Sequence, residues 1–438
     1  MNAEQTIADR SSQETGSKRP LNMKKRSAGR VVMLVQCPYP QDTRVRNEAL
    51  LLLSEGYEVS VISVRKPDQV FSEDIDGVRV YRVPELELFK KTSDNARVGR
   101  VGKVLLKLKA FLGYAFEFWY FTAACFVMAS YIFLKRGFDV IHAHNPPDTL
   151  FLVALPFKLL GKKFVFDHHD LSPELYMSRY GAGKGLPTKL LGMAEWCSVK
   201  LADVVIATNE SYKKIDMERS NKDPQSIFVV RNGPSKRHLM PTEPNPKFRP
   251  PNKSLLCYVG DLNPQDGLDY LLRSLHHLIH DLKRDDFQCV VIGSGDSLED
   301  LRKLSQELQL NGAVKFTGFI SEDDLQAYLS TADICVDPDP SSPLNDVSTW
   351  IKITEYMAHS KPIVTFDLKE TRFSAQEAAL YVEPNDEQAF ARAVAQLMDD
   401  PALRERMGTF GRQRVERELQ WSVVGRNLVS AYQRLALS

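Results

Sequence analysis

Apolar runs and helical periods alternate along almost the whole chain. Runs rich in Val, Ile, Leu and Phe stand at 31–36, 57–64, 78–83, 138–143, 163–168, 203–208 and 227–231. They are continuous rather than alternating, which suits strands covered on both faces. Helical spacing fills the gaps, as at 49–53 ahead of Gly56. Strand and helix in alternation predict a parallel, doubly wound sheet. A polar stretch with Pro241, Pro244, Pro246, Pro250 and Pro251 then reads as a linker. The pattern restarts at 255–260, 288–293, 313–318, 334–337 and 362–366. The expected class is therefore α/β, with a tail over 1–29 and Rossmann-like units over 30–235 and 250–415. A last helical segment covers 416–438. Two such units facing across a cleft would hold ligands at the carboxyl ends of their strands.

One run breaks this rhythm. Residues 111–134 are apolar apart from Glu117, a few hydroxyls and small residues. That is long enough to span a bilayer, yet it lies between strands of one unit, where a spanning helix would break the sheet. Two readings stay open: a buried crossover helix, or an interfacial helix. For the second, Arg97, Arg100, Lys103, Lys107 and Lys109 precede the run, as on a surface that meets anionic lipid.

Composition narrows the class. At 438 residues the chain exceeds one small module. With 43% hydrophobic and 26% charged residues it is neither wholly disordered nor polytopic. Lys and Arg total 57 against 56 acidic residues, a net charge of +1 that gives no global field for nucleic acid. None of the six cysteines forms a CxxC pair, so zinc ribbons and thioredoxin-like motifs are excluded, and buried reduced thiols fit a cytoplasmic location. The N-terminal tail is polar and basic, with no apolar core of a secretory signal, and reads as flexible.

Candidate chemistry falls at strand ends. Asp42, Arg44 and Arg46 follow the first strand; they face the cleft or form a solvated helix start. No GxGxxG fingerprint accompanies them. Alternation puts His142 and His144 on one face of a strand that Pro146 and Pro147 then stop. Asp167, His168, His169 and Asp170 end another strand. The histidines read as hydrogen-bonding and acid/base groups for a polyhydroxylated ligand, with a metal site the weaker alternative. Gly293 and Gly295 end a strand as a structural turn or a phosphate cradle. Ser348 or Thr349 can cap a helix running to about His359. Its free amides would attract a pyrophosphate, worth roughly 0.3–1 kcal/mol when exposed. Lys352 in the first turn adds a full charge. Glu355, three residues on, either accepts hydrogen bonds from ribose hydroxyls or forms an ion pair with Lys352.

In this order the residues resemble a GT-B fold glycosyltransferase of family 4, the retaining group 1 glycosyltransferases. The resemblance covers nearly the whole chain after the tail. It runs through Asp42-Thr43-Arg44-Val45, the histidine strand, Val230-Arg231-Asn232-Gly233 and Tyr258-Val259-Gly260. It continues through Val291-Ile292-Gly293-Ser294-Gly295 and Phe316-Thr317-Gly318. Lys352 and Glu355-Tyr356-Met357-Ala358, before Lys361-Pro362-Ile363-Val364, complete it. Within the family, Asn345-Asp346-Val347-Ser348-Thr349 and Asp167-His168-His169-Asp170 are similar to bacterial members that build surface polysaccharides.

The resemblance implies a metal-independent retaining transferase without a cofactor. It would move a sugar from a nucleoside-diphosphate donor, UDP-linked, to a lipid-linked or saccharide acceptor. The reduced thiols and the apolar run with its basic flank lead to the expectation of a cytoplasmic enzyme, peripheral on the inner face of the membrane. Glu355 matches the second glutamate of the family's E-x7-E motif, which holds the ribose, and His144 matches the histidine that faces donor sugar and acceptor. Lys352 would stabilise the leaving diphosphate, and Gly293, Ser348 and Thr349 would line the donor site. Asp42, Arg44, His169 and Asp170 fall on the acceptor side. The C-terminal helix would cross back onto the first unit. Two departures stand out. The first glutamate of the motif falls on Val347, leaving its sugar contacts to Asp346 or Asn345. The usual Arg and Lys fall on Asp261 and Asp266, which cannot neutralise a pyrophosphate. A sugar-nucleotide epimerase and a catalytically silent binding protein are the alternatives.

Overall fold

The computed structural model describes residues 28–86, 100–180, 185–234, 239–240 and 242–437. The expected tail lies, but for residues 28 and 29, outside the described residues, as does Arg97.

The first sheet has eight strands: β1 (Gly29–Leu34), β2 (Tyr57–Arg65), β3 (Ser72–Ile75), β4 (Val78–Pro84), β5 (Val140–His144), β6 (Lys163–His168), β7 (Val204–Ala207) and β8 (Ile227–Val229). Their spatial order is β3-β4-β2-β1-β5-β6-β7-β8. All pair in parallel except β3, which runs antiparallel to β4. The second sheet is wholly parallel. It contains β9 (Ser254–Val259), β10 (Phe287–Ile292), β11 (Val314–Gly318), β12 (Ile334–Asp337), β13 (Ile363–Phe366) and β14 (Ala379–Val382), in the order β11-β10-β9-β12-β13-β14.

Successive residues of β1 explain the unbroken apolar runs. Val32 and Leu34 enter one core and Val31 and Met33 another, on opposite faces of the sheet. In each sheet the strand order reverses at one place, between β1 and β5 and between β9 and β12. Ligands of doubly wound sheets lie outside the carboxyl ends of the strands at such points.

The apolar run lies in α2 (Arg100–Lys135), the second helix after α1 (Thr43–Ser54). Phe121, Cys125, Ala129 and Ile132 recur at helical spacing and are buried against the first sheet. Phe116, Trp119, Phe126, Val127 and Leu134 are exposed, Leu134 by 84%. The helix thus buries one face as a crossover helix does and leaves apolar side chains exposed on the other. The C-terminal helix Arg426–Leu437 packs Leu428, Ala431, Tyr432 and Leu435 into the core of the first sheet. The chain's two crossings between the sheets touch at Gly233, where a Cβ would lie 2.8 Å from the Leu419 carbonyl oxygen and 2.9 Å from Trp421 N. Among the described residues every cysteine is a free thiol.

Candidate active site

The first wall of the cleft is built on Arg44. Asp42 caps α1 by accepting a hydrogen bond from Val45 N at 3.0 Å, so it serves the helix start. In the first turn, Arg44 is buried and grips Asp167 with two hydrogen bonds, Nε to Oδ2 at 2.7 Å and Nη2 to Oδ1 at 2.8 Å. Its Nη1 donates to the Val230 carbonyl (2.9 Å) and to Asn232 Oδ1 (2.7 Å), tying α1 and β6 to the chain that leaves the unit. Nε also lies 3.3 Å from Glu48 Oε1.

His142 and His144 stack at 4.4 Å on one face of β5, as the alternation predicts. His144 Nδ1 is 2.9 Å from Asp167 Oδ2, and His142 Nδ1 is 3.0 Å from the Tyr432 hydroxyl. The two Nε2 atoms face Glu48 Oε2, at 3.6 Å and 4.0 Å. Burial opposes ionisation of Asp167, but Arg44 and the histidine hydrogen bonds outweigh it and hold the carboxyl well below its ordinary range. Burial and the charge of Asp167 push Glu48 well above its own, despite Arg44. Burial likewise holds His142 and His144 down. The cluster therefore holds one Arg44–Asp167 ion pair, and burial favours the neutral forms of Glu48, His142 and His144 around it. Glu48, His142, His144 and Asp167 bring ligand atoms within 4.8 Å of one another. Arg44 already supplies the cation there, so the set does not fit a metal ion.

His144, expected to face donor sugar and acceptor, is fully buried, with Nδ1 on Asp167 and Nε2 4.0 Å from Glu48 Oε2. The imidazole nearer solvent is His169, whose side chain is 17% exposed and whose Nδ1 is 3.5 Å from Asp167. Burial opposes its charged form, but Asp167 and Asp170 prevail and raise its pKa. Asn145 fixes this turn, accepting from His169 N (2.9 Å) and donating to the Asp170 carbonyl (2.6 Å). His168 belongs elsewhere: it bonds Asp216 at 2.7 Å behind the sheet.

On the second wall, Lys352 lies in the first turn of the helix Ile351–Ala358. Its ammonium is buried between Asp337 Oδ1 (2.9 Å) and Asp339 Oδ1 (2.7 Å), 4.9 Å from the Tyr258 ring centre. Burial opposes its charge, but the two aspartates outweigh that and raise its pKa. The expected open cation for a pyrophosphate is thus already neutralised. The cap expectation is corrected too. The helix begins after Trp350 with no side-chain cap. Ser348 Oγ donates to the Leu344 carbonyl (2.8 Å), and Thr349 Oγ1 accepts from Asn209 Nδ2 (2.9 Å).

Gly293 forms a close-packed turn. Its φ is +134°, a Cβ would lie 1.9 Å from the Gly260 carbonyl oxygen, and its amide donates to the Gly318 carbonyl at 3.1 Å. Asn345 is buried and donates to the carbonyls of Gln265 (2.8 Å) and Pro340 (2.9 Å). Asp346 and Glu355 are half-buried. Asp261 is exposed, whereas Asp266 is buried, caps the turn Pro264–Asp266 through Asn263 N (2.9 Å), and is pushed up to about 6 by burial.

The walls meet directly. Asn209, after β7, donates from Nδ2 to the Val347 carbonyl (2.9 Å) as well as to Thr349. Ser211 and Arg231 both bond Glu370, at 2.7 Å and 3.1 Å. Sequence reasoning missed Glu48, Asn209, Asp337 and Asp339 as site-forming residues. Glu48 carried a signal, an acid between the buried positions Val45, Ala49 and Leu52 of α1.

Residues 41–233 match the family model for a glycosyl transferase 4-like domain, and residues 240–414 that for glycosyl transferases group 1. An uncharacterised glycosyltransferase of Methanocaldococcus jannaschii is 23% identical over 397 residues, covering 87% of this chain and 90% of that one. Phosphatidyl-myo-inositol mannosyltransferase of Mycobacterium leprae is 30% identical over 305 residues, 69% of this chain and 75% of its own. The structure of Anabaena HepE in complex with UDP and glucose is similar with a TM-score of 0.66 at 13% identity, covering 92% of this chain and 99% of that one.

Proposed function

The chain belongs to the group 1 glycosyltransferases and has the GT-B fold, and on that premise we propose that it is a retaining enzyme. It moves a hexosyl or N-acetylhexosaminyl group from a UDP-linked donor to a lipid-linked or saccharide acceptor in bacterial surface-polysaccharide synthesis. The observation that carries this reading is that two switch points, β1/β5 and β9/β12, belong to one chain whose halves meet through Asn209 and Val347. The UDP and glucose named for the Anabaena protein support the donor, and the lipid named for the Mycobacterium relative supports a lipid-linked acceptor.

In the proposed reaction the bond from the anomeric carbon to the diphosphate oxygen breaks. The bond to the acceptor oxygen forms on the same face, and the acceptor's proton passes to the released diphosphate. No metal or cofactor takes part. Backbone amides at the start of Ile351–Ala358 stabilise the developing charge. Lys352 contributes through the shape of its aspartate cage rather than as an open cation. Glu355 takes the ribose hydroxyls, Asp346 the donor sugar, and His169 with Asp170 the acceptor. The enzyme works in the cytoplasm, with the exposed apolar face of α2 against the membrane.

A catalytically silent binding protein is the second reading. It is favoured by the neutralised Lys352 and by aspartates at 261 and 266. Turnover of a nucleotide-sugar panel, read by mass spectrometry with a bacterial lipid extract and EDTA, tests both. Released UDP with a glycosylated product is expected. An isomer without nucleotide release would make the protein an epimerase. No turnover and no donor binding by folded protein would leave the silent reading.

A further inference from the structure

A cavity of about 650 Å³ opens beside the cleft, between α2 and two later helices, α4 (Ser172–Tyr180) and α5 (Leu186–Leu201), the fourth and fifth after α3 (Phe151–Leu159). Phe118, Phe151, Leu175 and Leu191 form its walls. Its polar groups include Gln36, after β1, and Ser172 and Arg179 of α4. Arg179 Nε is buried with no hydrogen-bond partner among the described residues. This is a size and lining that suit a small molecule held by its apolar body and oriented by a few polar groups.

Two features identify the occupant. The inner end adjoins the reaction site: Pro146, which lines the cavity, follows the Asn145 that fixes His169 and Asp170. In addition α4 approaches the turn Pro264–Asp266 of the second unit. The outer end is apolar and exposed. Trp119, Leu190 and Met193 line the cavity while 57%, 43% and 58% exposed, and Phe116 and Trp196 lie exposed on the same helices. A soluble saccharide has no use for such a passage. We propose that the cavity holds the hydrocarbon chain of a lipid-linked acceptor, with the acceptor's polar head delivered past Ser172 and Arg179 to the cleft. This inference rests on the transferase reading and narrows its acceptor to the lipid-linked class.

Cys197 lines the cavity and is a free, partly exposed thiol, which provides a probe in the unaltered protein. Geranylgeranyl phosphate below its micellar concentration should slow alkylation of Cys197 by N-ethylmaleimide at least fivefold, with Cys37 unchanged. Ala194→Trp, which fills the cavity, should weaken binding of the same probe at least tenfold while keeping its Tm. Unchanged alkylation of Cys197 would overturn the assignment even if that variant failed to fold. Equal protection by dihexanoyl phosphatidylglycerol would overturn it in favour of a bilayer-lipid contact. Glycosyl transfer to a water-soluble acceptor without Cys197 protection would remove the cavity proposal and leave the transferase reading standing. Protection without any donor turnover would remove the transferase reading and the acceptor role with it, leaving a cavity that binds a hydrocarbon chain.

Discussion

The Tyr432 hydroxyl lies 3.0 Å from His142 Nδ1, joining residues 290 positions apart. The C-terminal helix thereby closes a buried polar line behind the cleft. Tyr432 donates to His142 and His144 donates to Asp167 beside Arg44, while both imidazole Nε2 atoms face Glu48 Oε2. Removing the first donor strands a buried nitrogen, which costs about 1–3 kcal/mol. Tyr432→Phe should therefore lower the urea midpoint of unfolding by that equivalent. A midpoint equal to the parent's would mean that the hydroxyl is dispensable.

Glu48 makes the same line sensitive to pH. Its folded pKa is raised by burial and by Asp167. The native state then holds a proton that the unfolded chain releases near pH 4.3. This contribution to stability is fully present below that value and is lost as pH rises toward the folded pKa, by at most about 1.4 kcal/mol per pH unit. Glu48→Gln mimics the protonated form and has no such loss. The variant should gain stability relative to the parent between pH 5 and pH 8 in paired urea titrations. A pH-independent difference would show that Glu48 is ionised in the folded state.

Lys352 is held so tightly that its removal should be read first in folding. Without the ammonium, Asp337 and Asp339 remain buried and uncompensated, a loss of about 3–5 kcal/mol. Burial and Asp337 already raise the Asp339 pKa. Protonation therefore relieves the defect, and the penalty falls as pH is lowered. Lys352→Met should show a large drop in Tm at pH 7.5 and a smaller one at pH 5. A variant with the parent's Tm at both values and impaired donor binding would restore the open-cation role that its place in the helix first implied.

Much of the architecture was legible because the strands are covered on both faces. β6 and β12 fall where unbroken apolar runs put them. β3 escaped because it is a polar edge strand, Ser72-Glu73-Asp74-Ile75, defined by its backbone pairing to β4. β14 escaped because it too is an edge strand, and of Ala379-Leu380-Tyr381-Val382 only Ala379 is buried. For the site, alternation correctly put His142 beside His144, but nothing local revealed that Glu48 of α1 waits opposite them. Helical position likewise put Lys352 in a first turn, while its partners come from the end of another strand. One-dimensional spacing reports which face a residue shares; it carries no information on what that face meets.

Asn209 lets contact between the two walls be separated from folding. Its Oδ1 accepts from Tyr212 N at 2.8 Å and caps the helix Glu210–Ser220. Its Nδ2 crosses the cleft to Val347 and Thr349. Asn209→Asp keeps the acceptor that the cap needs and places an anion at the helix start, which favours the helix. The same change replaces the donor by a second acceptor, which meets the Val347 carbonyl without a proton between them. The first unit should thus stay folded, with Tm within about 2 °C of the parent, while the closed arrangement loses two hydrogen bonds worth about 0.5–1.5 kcal/mol each. A larger radius of gyration by X-ray scattering and a turnover reduced about tenfold are the expected readouts. The parent's radius and turnover in a folded variant would mean that the units stay together without this bridge, through other contacts such as those of Ser211 and Arg231 with Glu370.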